Sequence, residues 1–199
     1  GKEFMHYIID AVGRMENLLD DLLDFSRAGS QPTPTNYAST QDVMVMVEAN
    51  LRHRLELLNA KLIVKSDNLP SIKAHRTQMI QLLQNLVSNG MKFKGKKDPI
   101  VEVDCMQKDN KFIFSVRDNG IGISEENLEK VFEMFRRLHT REEYEGTGIG
   151  LATCKRIVTT WGGDIWVESE EGNGCTFFFS VPASYAKMAE VKQLEAVSI

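Results

Sequence analysis

The 199-residue sequence has no apolar run near the ~20 residues that a membrane-spanning helix needs, and no signal peptide at its start. It has no basic surplus either. Against 24 Lys and Arg stand 28 Asp and Glu, a net charge of −4, so no positive field argues for nucleic acid. Cysteine is sparse and odd in number: Cys105, Cys154 and Cys175 lie far apart. That spacing fits neither a disulfide framework nor a metal cluster, and points to free buried thiols in a reducing, cytoplasmic compartment. Internal repeats and low-complexity stretches are missing as well. The composition that remains, 42% hydrophobic and 26% charged, suits one globular domain with an appendage and no membrane contact of its own.

Phe4, Ile8, Ala11, Met15, Leu18, Leu22 and Phe25 recur alternately four and three apart, which predicts a helix over 3–28. Met5, Ile9, Val12, Leu19 and Leu23 widen this seam to the breadth of a bundle helix, and Asp10, Arg14, Asp20, Asp21 and Asp24 fill the opposite face. The expected setting is a helical hairpin or dimer; the alternative is a terminal helix folded onto the next domain. Gly29 supplies a helix stop, and Ser30 to Thr35, with two prolines, a linker. The chain starts inside the helical pattern without an initiator Met, so it is expected to be a fragment.

Further helices are predicted over 40–59, with Thr40 as cap, over 77–93 and over 151–160, and 125–135 is expected to be mostly helical. Strands are predicted over 61–65, 100–107, 111–117, 164–169 and 176–182, with turns at Asn68-Leu69-Pro70 and at Lys108-Asp109-Asn110. Residues 136–146 are polar and aperiodic. The sum is an α+β fold: a two-layer sandwich of one mixed, mostly antiparallel sheet of about five strands, with three helices on one face. The domain reading is a helix over 1–29, a linker over 30–39, a domain over 40–183 and a polar, fraying tail over 184–199.

Three features can carry chemistry. Gly146-Thr147-Gly148-Ile149-Gly150-Leu151 opens a helix, and glycines before a helix N-terminus let phosphate approach unpaired N–H groups. It lacks the Lys-Ser/Thr of a P-loop, so an ordinary tight loop is the alternative. Asn85, Asn89 and Lys92 lie four and three apart, on one helical face, and offer oxygen ligands for a hard cation and a charge for phosphate. A solvated polar stripe is the alternative there. Asp118 ends a strand before Gly120 and Gly122: the carboxylate can accept from an exocyclic amine, and the glycines admit a flat ring. A structural turn is the competing reading.

Together and in this order the motifs resemble those of sensor histidine kinases. Asn85-Leu-Val-Ser-Asn89-Gly-Met-Lys92-Phe93 is similar to their N box, and Asp118-Asn-Gly120-Ile-Gly122-Ile123 to their G1 box. Val131-Phe132-Glu-Met-Phe135 resembles the F box and Gly146-Thr-Gly148-Ile-Gly150-Leu151 the G2 box. Glu171 to Pro182 is similar to the closing strand, and Asp21 to Arg27 to the second helix of the dimerisation hairpin. The run from Arg137 to Gly148 is most like phytochrome-type kinases.

The resemblance implies a Bergerat fold that binds ATP and Mg²⁺. It implies that Asn89, supported by Asn85, holds the metal, that Lys92 contacts phosphate, and that Phe93 packs near the base or ribose. Asp118 reads the adenine amine with Thr176 supporting it. Residues 133–146 form a lid anchored by Phe132 and Phe135, with Arg136 or Arg137 as phosphate contacts. The backbone of Gly146, Thr147, Gly148, Ile149 and Gly150 faces the phosphates. Implied partners are a response regulator receiver domain and a second copy, forming a homodimer through hairpin helices. In related ATPases the position of Asn85 carries a Glu that activates water; an amide is no base at neutral pH. A weak ATPase is therefore disfavoured, and a degenerate nucleotide-binding scaffold is the remaining alternative.

The family's His-Glu/Asp phosphoacceptor motif is not in the sequence. His6 lies in what resembles the second hairpin helix, and His53, His75 and His139 fit the role no better. The fragment is expected to bind Mg-ATP without phosphorylating itself. Gly90 stands in mid-helix where relatives commonly carry Ala, at a cost of about 1 kcal/mol, so either close packing or mild instability of the helix is expected there. His75 and Cys175 also depart from common family choices.

Overall fold

The computed structural model describes residues 2–30, 34, 36–66, 69–138, 144 and 146–188. Most of the linker, Asn68, His139 and the rest of 139–143, Glu145 and the tail beyond 188 lie outside the described residues, as does the side chain of His6.

Helix α1 (Lys2–Ala28) leads to a short strand β1 (Tyr37–Ser39) and helix α2 (Thr40–Leu57). Strands β2 (Lys61–Val64) and β3 (Ser71–Lys73) precede helix α3 (Arg76–Lys92). A hairpin of β4 (Ile100–Lys108) and β5 (Lys111–Asp118) follows, then helix α4 (Gly150–Thr160). The pair β6 (Ile165–Ser169) and β7 (Cys175–Pro182) and a two-residue β8 (Ala186–Lys187) complete the order. The main sheet runs β2-β4-β5-β7-β6, with β2 parallel to β4 and every other pair antiparallel. This is the expected mixed α+β sandwich.

Period-2 patterning explains the sheet. Phe112, Phe114 and Val116 of β5 and Phe177, Phe179 and Val181 of β7 all turn inward and are buried. Phe114 and Phe179 are cross-strand partners whose rings stack at 4.7 Å. The hairpin closes at Asp109 and Asn110, both with positive φ, a turn whose twist matches the strands it joins. On the helical layer Leu82, Leu83, Leu86 and Val87 of α3 and Cys154, Ile157 and Val158 of α4 are fully buried.

Several expectations need correction. Helix α2 is capped by the Ser39 hydroxyl, which accepts from the N–H of Asp42; the Thr40 hydroxyl instead donates to the Pro70 carbonyl and is buried. The segment 125–135 is not an α-helix but two short 3₁₀ turns, Glu125–Asn127 and Lys130–Phe132. Its apolar residues sit at helical spacing, yet the chain turns extended at Glu133 so that the N–H of Phe135 can reach the Gly148 carbonyl at 3.0 Å. A second sheet, β1-β3-β8, was not anticipated, and it draws residues 186 and 187 out of the expected tail. Strands of two or three residues are too short to display alternation.

The end of α1 folds onto the domain. Its last turns dock on the domain: Asp21 accepts from the Thr147 hydroxyl, Asp24 from Gln81 at 2.8 Å, and the Ala28 carbonyl from Gln78 at 3.2 Å. The Arg156 guanidinium stacks on Phe25 at 4.7 Å, and a Cβ on Gly29 would stand 2.1 Å from it. Gly29 therefore matters for close approach as much as for stopping the helix. Farther back, Met5, Ile8, Ile9, Val12, Met15, Leu19, Leu22 and Leu23 stay exposed. Apolar seams exposed on this scale commonly mark interaction surfaces.

Candidate functional site

Helix α3 lies so close to the sheet that a Cβ on Gly90 would stand 3.0 Å from both the Asp118 Cβ and the Val101 Cγ2. The mid-helix glycine is thus a close-packing residue, and it brings the polar face of α3 beside the end of β5. Asn85, Asn89, Lys92 and Phe93 are half-buried along that face.

Asp118 is 8% exposed. Its Oδ1 accepts from the N–H of Gly120 at 2.8 Å and of Cys175 at 3.1 Å. Burial pushes the carboxyl above its ordinary value, and those two N–H groups pull it part of the way back. Among the described residues nothing donates to Oδ2, which keeps its capacity to accept.

The loop after Asp118 is tied at both ends. The N–H of Ile121 donates to the Phe93 carbonyl at 3.0 Å, and Gly172 to the Ile121 carbonyl at 2.7 Å. The Ile123 N–H donates to the Ser169 hydroxyl at 2.9 Å. A Cβ at Gly120 would fall 2.3 Å from the Phe93 carbonyl oxygen. At Gly122, with φ +74°, it would fall 2.2 Å from that of Glu170. Close backbone approach, rather than flexibility, requires glycine at both.

Across the cleft the glycine loop meets α3. A Cβ on Gly146 would lie 2.8 Å from the Lys92 Nζ, and one on Gly150 3.4 Å from the Asn85 Oδ1. The Asn85 amide donates to the Gly150 carbonyl at 3.5 Å. Lys92 also lies over the Phe93 ring at 4.4 Å, and that ring meets Tyr144 at 4.9 Å. Arg137 donates to the Tyr144 carbonyl at 2.6 Å. The structure therefore gathers Asn85, Lys92, Phe93, Gly146 and Gly150, and Gly90 and Phe93 join that group to Asp118 and Gly120.

Thr176 and the Phe135 ring fall elsewhere than expected. Thr176 pairs with Arg117, so alternation puts it on the sheet face opposite Asp118; the backbone of Cys175 takes the supporting part instead. That parity depends on the β5–β7 register, which neither strand displays by itself. Phe132 is buried and sets its edge against Phe177 at 6.3 Å, but Phe135 is 58% exposed with φ +62°. Its backbone, not its ring, clasps Gly148. Arg136 is exposed. Tyr144 and Ser169 were not singled out as site residues from sequence, and neither carries a local signal that could have done so.

The cysteines are free, as expected. Burial pushes the Cys154 thiol up to about 12. Cys175 is pushed to about 12 by burial and by the charge of Asp118, and Cys105 to about 12 by burial and Asp104. All stay protonated at neutral pH and are poor nucleophiles.

These geometric features match a known class. The family described as histidine kinase-, DNA gyrase B-, and HSP90-like ATPase matches residues 74–185, more than half of the chain, and the chain belongs to that family. Within it the relatives are sensor kinases. The chain is 40% identical over 181 residues to the phytochrome-like protein Cph1 of Synechocystis sp., covering 91% of this chain and 24% of that one. Full-length ShkA, solved with AMPPNP, superposes with a TM-score of 0.71 at 26% identity, covering 91% of this chain and 38% of that one. The histidine kinase ThkA, solved in complex with the response regulator protein TrrA, shares the fold with a TM-score of 0.67 at 24% identity, covering 92% and 51%. The chain spans about a quarter of the length of the cyanobacterial phytochromes it matches. Among the described residues no helix is long and apolar enough to cross a membrane.

Proposed function

We propose that this chain binds Mg-ATP in the cleft between α3, the loop after Asp118 and the glycine loop, as the catalytic part of a sensor histidine kinase. In the whole protein the γ-phosphoryl group goes to a histidine and then to the aspartate of a response regulator receiver domain. The observation that carries this reading is the Asp118 carboxylate. One oxygen is tied by two N–H groups and the other is left to accept, beside the polar face of α3 that Gly90 brings against the end of β5.

The donor set fits the missing groups. Two amides one helical turn apart supply neutral oxygens, which suits a Mg²⁺ ion that keeps most of its waters and is carried by phosphates. Bound Mg²⁺ supplies charge neutralisation of the phosphates. Lys92 holds a phosphate oxygen, and the N–H groups of the glycine loop and the N-terminus of α4 face the others. Asp118 selects adenine by accepting from its amine. Phe93 and Tyr144 cover the base or ribose. Residues 133–146 act as a lid hinged where Phe135 clasps Gly148, with Arg136 and Arg137 reaching phosphate once it closes. The boundaries that follow are a hairpin helix over 1–29 and a catalytic domain that starts near 37 and runs to 187. The exposed seam of α1 fits a homodimer of the whole protein, working in the cytoplasm.

Asn85 decides between kinase and ATPase, since an amide cannot activate water. In the full-length protein, labelled ATP should leave acid-labile phosphate on histidine, and Asn85→Ala or Asn89→Ala should cut it by about 100-fold. Phosphate release to water at rates matching the label, or full labelling in both variants, would contradict the reading.

The hinge gives a second expected result. Gly148 has φ +78° and its Cβ would lie 2.9 Å from the Arg136 carbonyl oxygen and the Phe135 carbonyl carbon, whereas a Cβ at Gly150 meets only ordinary contacts. Gly148→Ala should weaken binding of an ATP analogue by about tenfold and cost about 1–2 kcal/mol of stability, the left-handed backbone cost with the overlap taken up by the loop. Gly150→Ala should stay within about twofold of the parent. Calorimetry and urea unfolding of both variants check this, and equal effects at the two positions would remove the hinge.

A further inference from the structure

We propose that Ser169 is a positioning residue for base recognition: its hydroxyl holds the Gly174–Cys175 peptide so that the Cys175 N–H meets Asp118. The proposal rests on the reading of Asp118 as the group that accepts from adenine. Ser169 ends β6, opposite Cys175 at the start of β7. Its hydroxyl donates to the Gly174 carbonyl at 2.7 Å and accepts from the N–H of Ile123 at 2.9 Å. The Cys175 Sγ also lies 3.3 Å from that hydroxyl. A hydroxyl has one proton to give, and the carbonyl oxygen is both the nearer and the stronger acceptor.

The Gly174 carbonyl and the Cys175 N–H belong to one planar, trans peptide group, so they point in opposite directions. Fixing the carbonyl therefore fixes the N–H, which donates to the Asp118 Oδ1 at 3.1 Å. Gly174, at φ +83°, has no side chain to restrain that plane, and the hydroxyl supplies the restraint from β6. A continuous chain results: Ile123 N–H to Ser169 Oγ, Ser169 O–H to Gly174 carbonyl, Cys175 N–H to Asp118. Every donor in it points toward the carboxylate, so each bond polarises the next in the direction that favours negative charge at the end. The other donor to Oδ1, the Gly120 N–H, stands two residues along the same loop and moves with it. The Cys175 N–H comes from a different strand and sets the carboxylate against the sheet. With Oδ1 held by groups from two segments, the plane of the carboxylate is set, and with it the direction in which Oδ2 accepts. Ser169 touches neither base nor carboxylate in this scheme; it acts through the peptide between them.

The test compares Ser169→Ala, Ser169→Val and Ser169→Thr in the 199-residue chain. Val and Thr share a shape, so a difference between those variants belongs to the hydroxyl; the Ala variant shows its loss without added volume. The first readout is the nucleotide-free protein. The Cys175 amide proton resonance should move upfield in the Ala and Val variants and stay near its parent position in the Thr variant. The second is affinity for AMPPNP with Mg²⁺ beside that for its guanine counterpart. The preference for adenine should fall about fivefold in the Ala and Val variants, the worth of one hydrogen bond, and stay within about twofold in the Thr variant. An unmoved Cys175 resonance, a Thr variant that behaves as the Val one, or an equal loss for both bases that follows melting temperature would overturn the proposal. Asp118→Asn in the same titrations separates the two levels. If it keeps the adenine preference, Asp118 does not read the base and both readings fall. If it loses that preference while Ser169→Ala and Ser169→Val keep it, only the role of Ser169 falls.

Discussion

Asp118→Asn should lose nucleotide affinity on the order of 100-fold while the folded domain keeps or gains stability at neutral pH. The amide oxygen can still accept from Gly120 and Cys175, so the loop stays tied. The other end becomes an NH₂ group that opposes the adenine amine, donor against donor. Losing a charge-assisted hydrogen bond and opposing two donors costs about 2–4 kcal/mol, which is the stated factor. Stability moves the other way because burial raises the Asp118 carboxyl above its unfolded value. For a raised group the contribution to stability is full below the unfolded value and is lost as pH rises through the folded one. At neutral pH the parent holds a buried charge that the Asn variant does not. Nucleotide binding follows the opposite course. As pH falls through the raised value Asp118 takes up a proton and stops accepting, so affinity should drop at a higher pH than an ordinary carboxylate would give. Calorimetric titration across mildly acidic pH and thermal melts of both proteins check the two signs. A variant that lost stability in proportion to affinity would make Asp118 a structural residue.

The second large effect belongs to a pair of glycines two residues apart. Gly172 and Gly174 share nearly the same backbone, φ +86° and φ +83°. A Cβ on Gly172 meets nothing within 4 Å, whereas one on Gly174 would fall 2.2 Å from the Asp118 carbonyl oxygen. Gly172→Ala should therefore show the left-handed cost alone, about 1–2 kcal/mol. Gly174→Ala adds an overlap with backbone that nothing can relieve without moving the end of β5. Its expected cost is about 3–5 kcal/mol, together with loss of nucleotide binding. Urea unfolding of the two variants measures the difference, and equal losses would mean that this turn does not support the Asp118 loop.

Much of this architecture was legible because it rests on long periodic segments. β4, β5 and β7 are eight or nine residues long and alternate over at least five of them, and α3 keeps its apolar stripe over four turns. The missed parts are those where local pattern and tertiary demand disagree. Leu128, Val131, Phe132 and Phe135 spell a helix, but the clasp on Gly148 pulls Phe135 into positive φ and ends it. β1, β3 and β8 are specified only by each other. In the site, α3 and the loop after Asp118 were readable as motifs, since each places its groups within one element. Which atoms support them was not. The exchange of Thr176 for the Cys175 backbone depends on register between β5 and β7, and the Asn85–Gly150 contact on the packing of α3 against α4. Gly90 shows the opposite case: a residue costly to its own helix marks the place where α3 must lie closest to the sheet.

The central claim is that this cleft binds ATP with Mg²⁺ through Asp118 on one side and Asn85, Asn89 and Lys92 on the other. Its most direct test is calorimetric titration of the chain with AMPPNP, with and without Mg²⁺, beside the guanine counterpart. Saturable one-to-one binding that strengthens with Mg²⁺ and discriminates against guanine is the predicted result. Absence of saturable binding, or equal binding of the two bases, would contradict it.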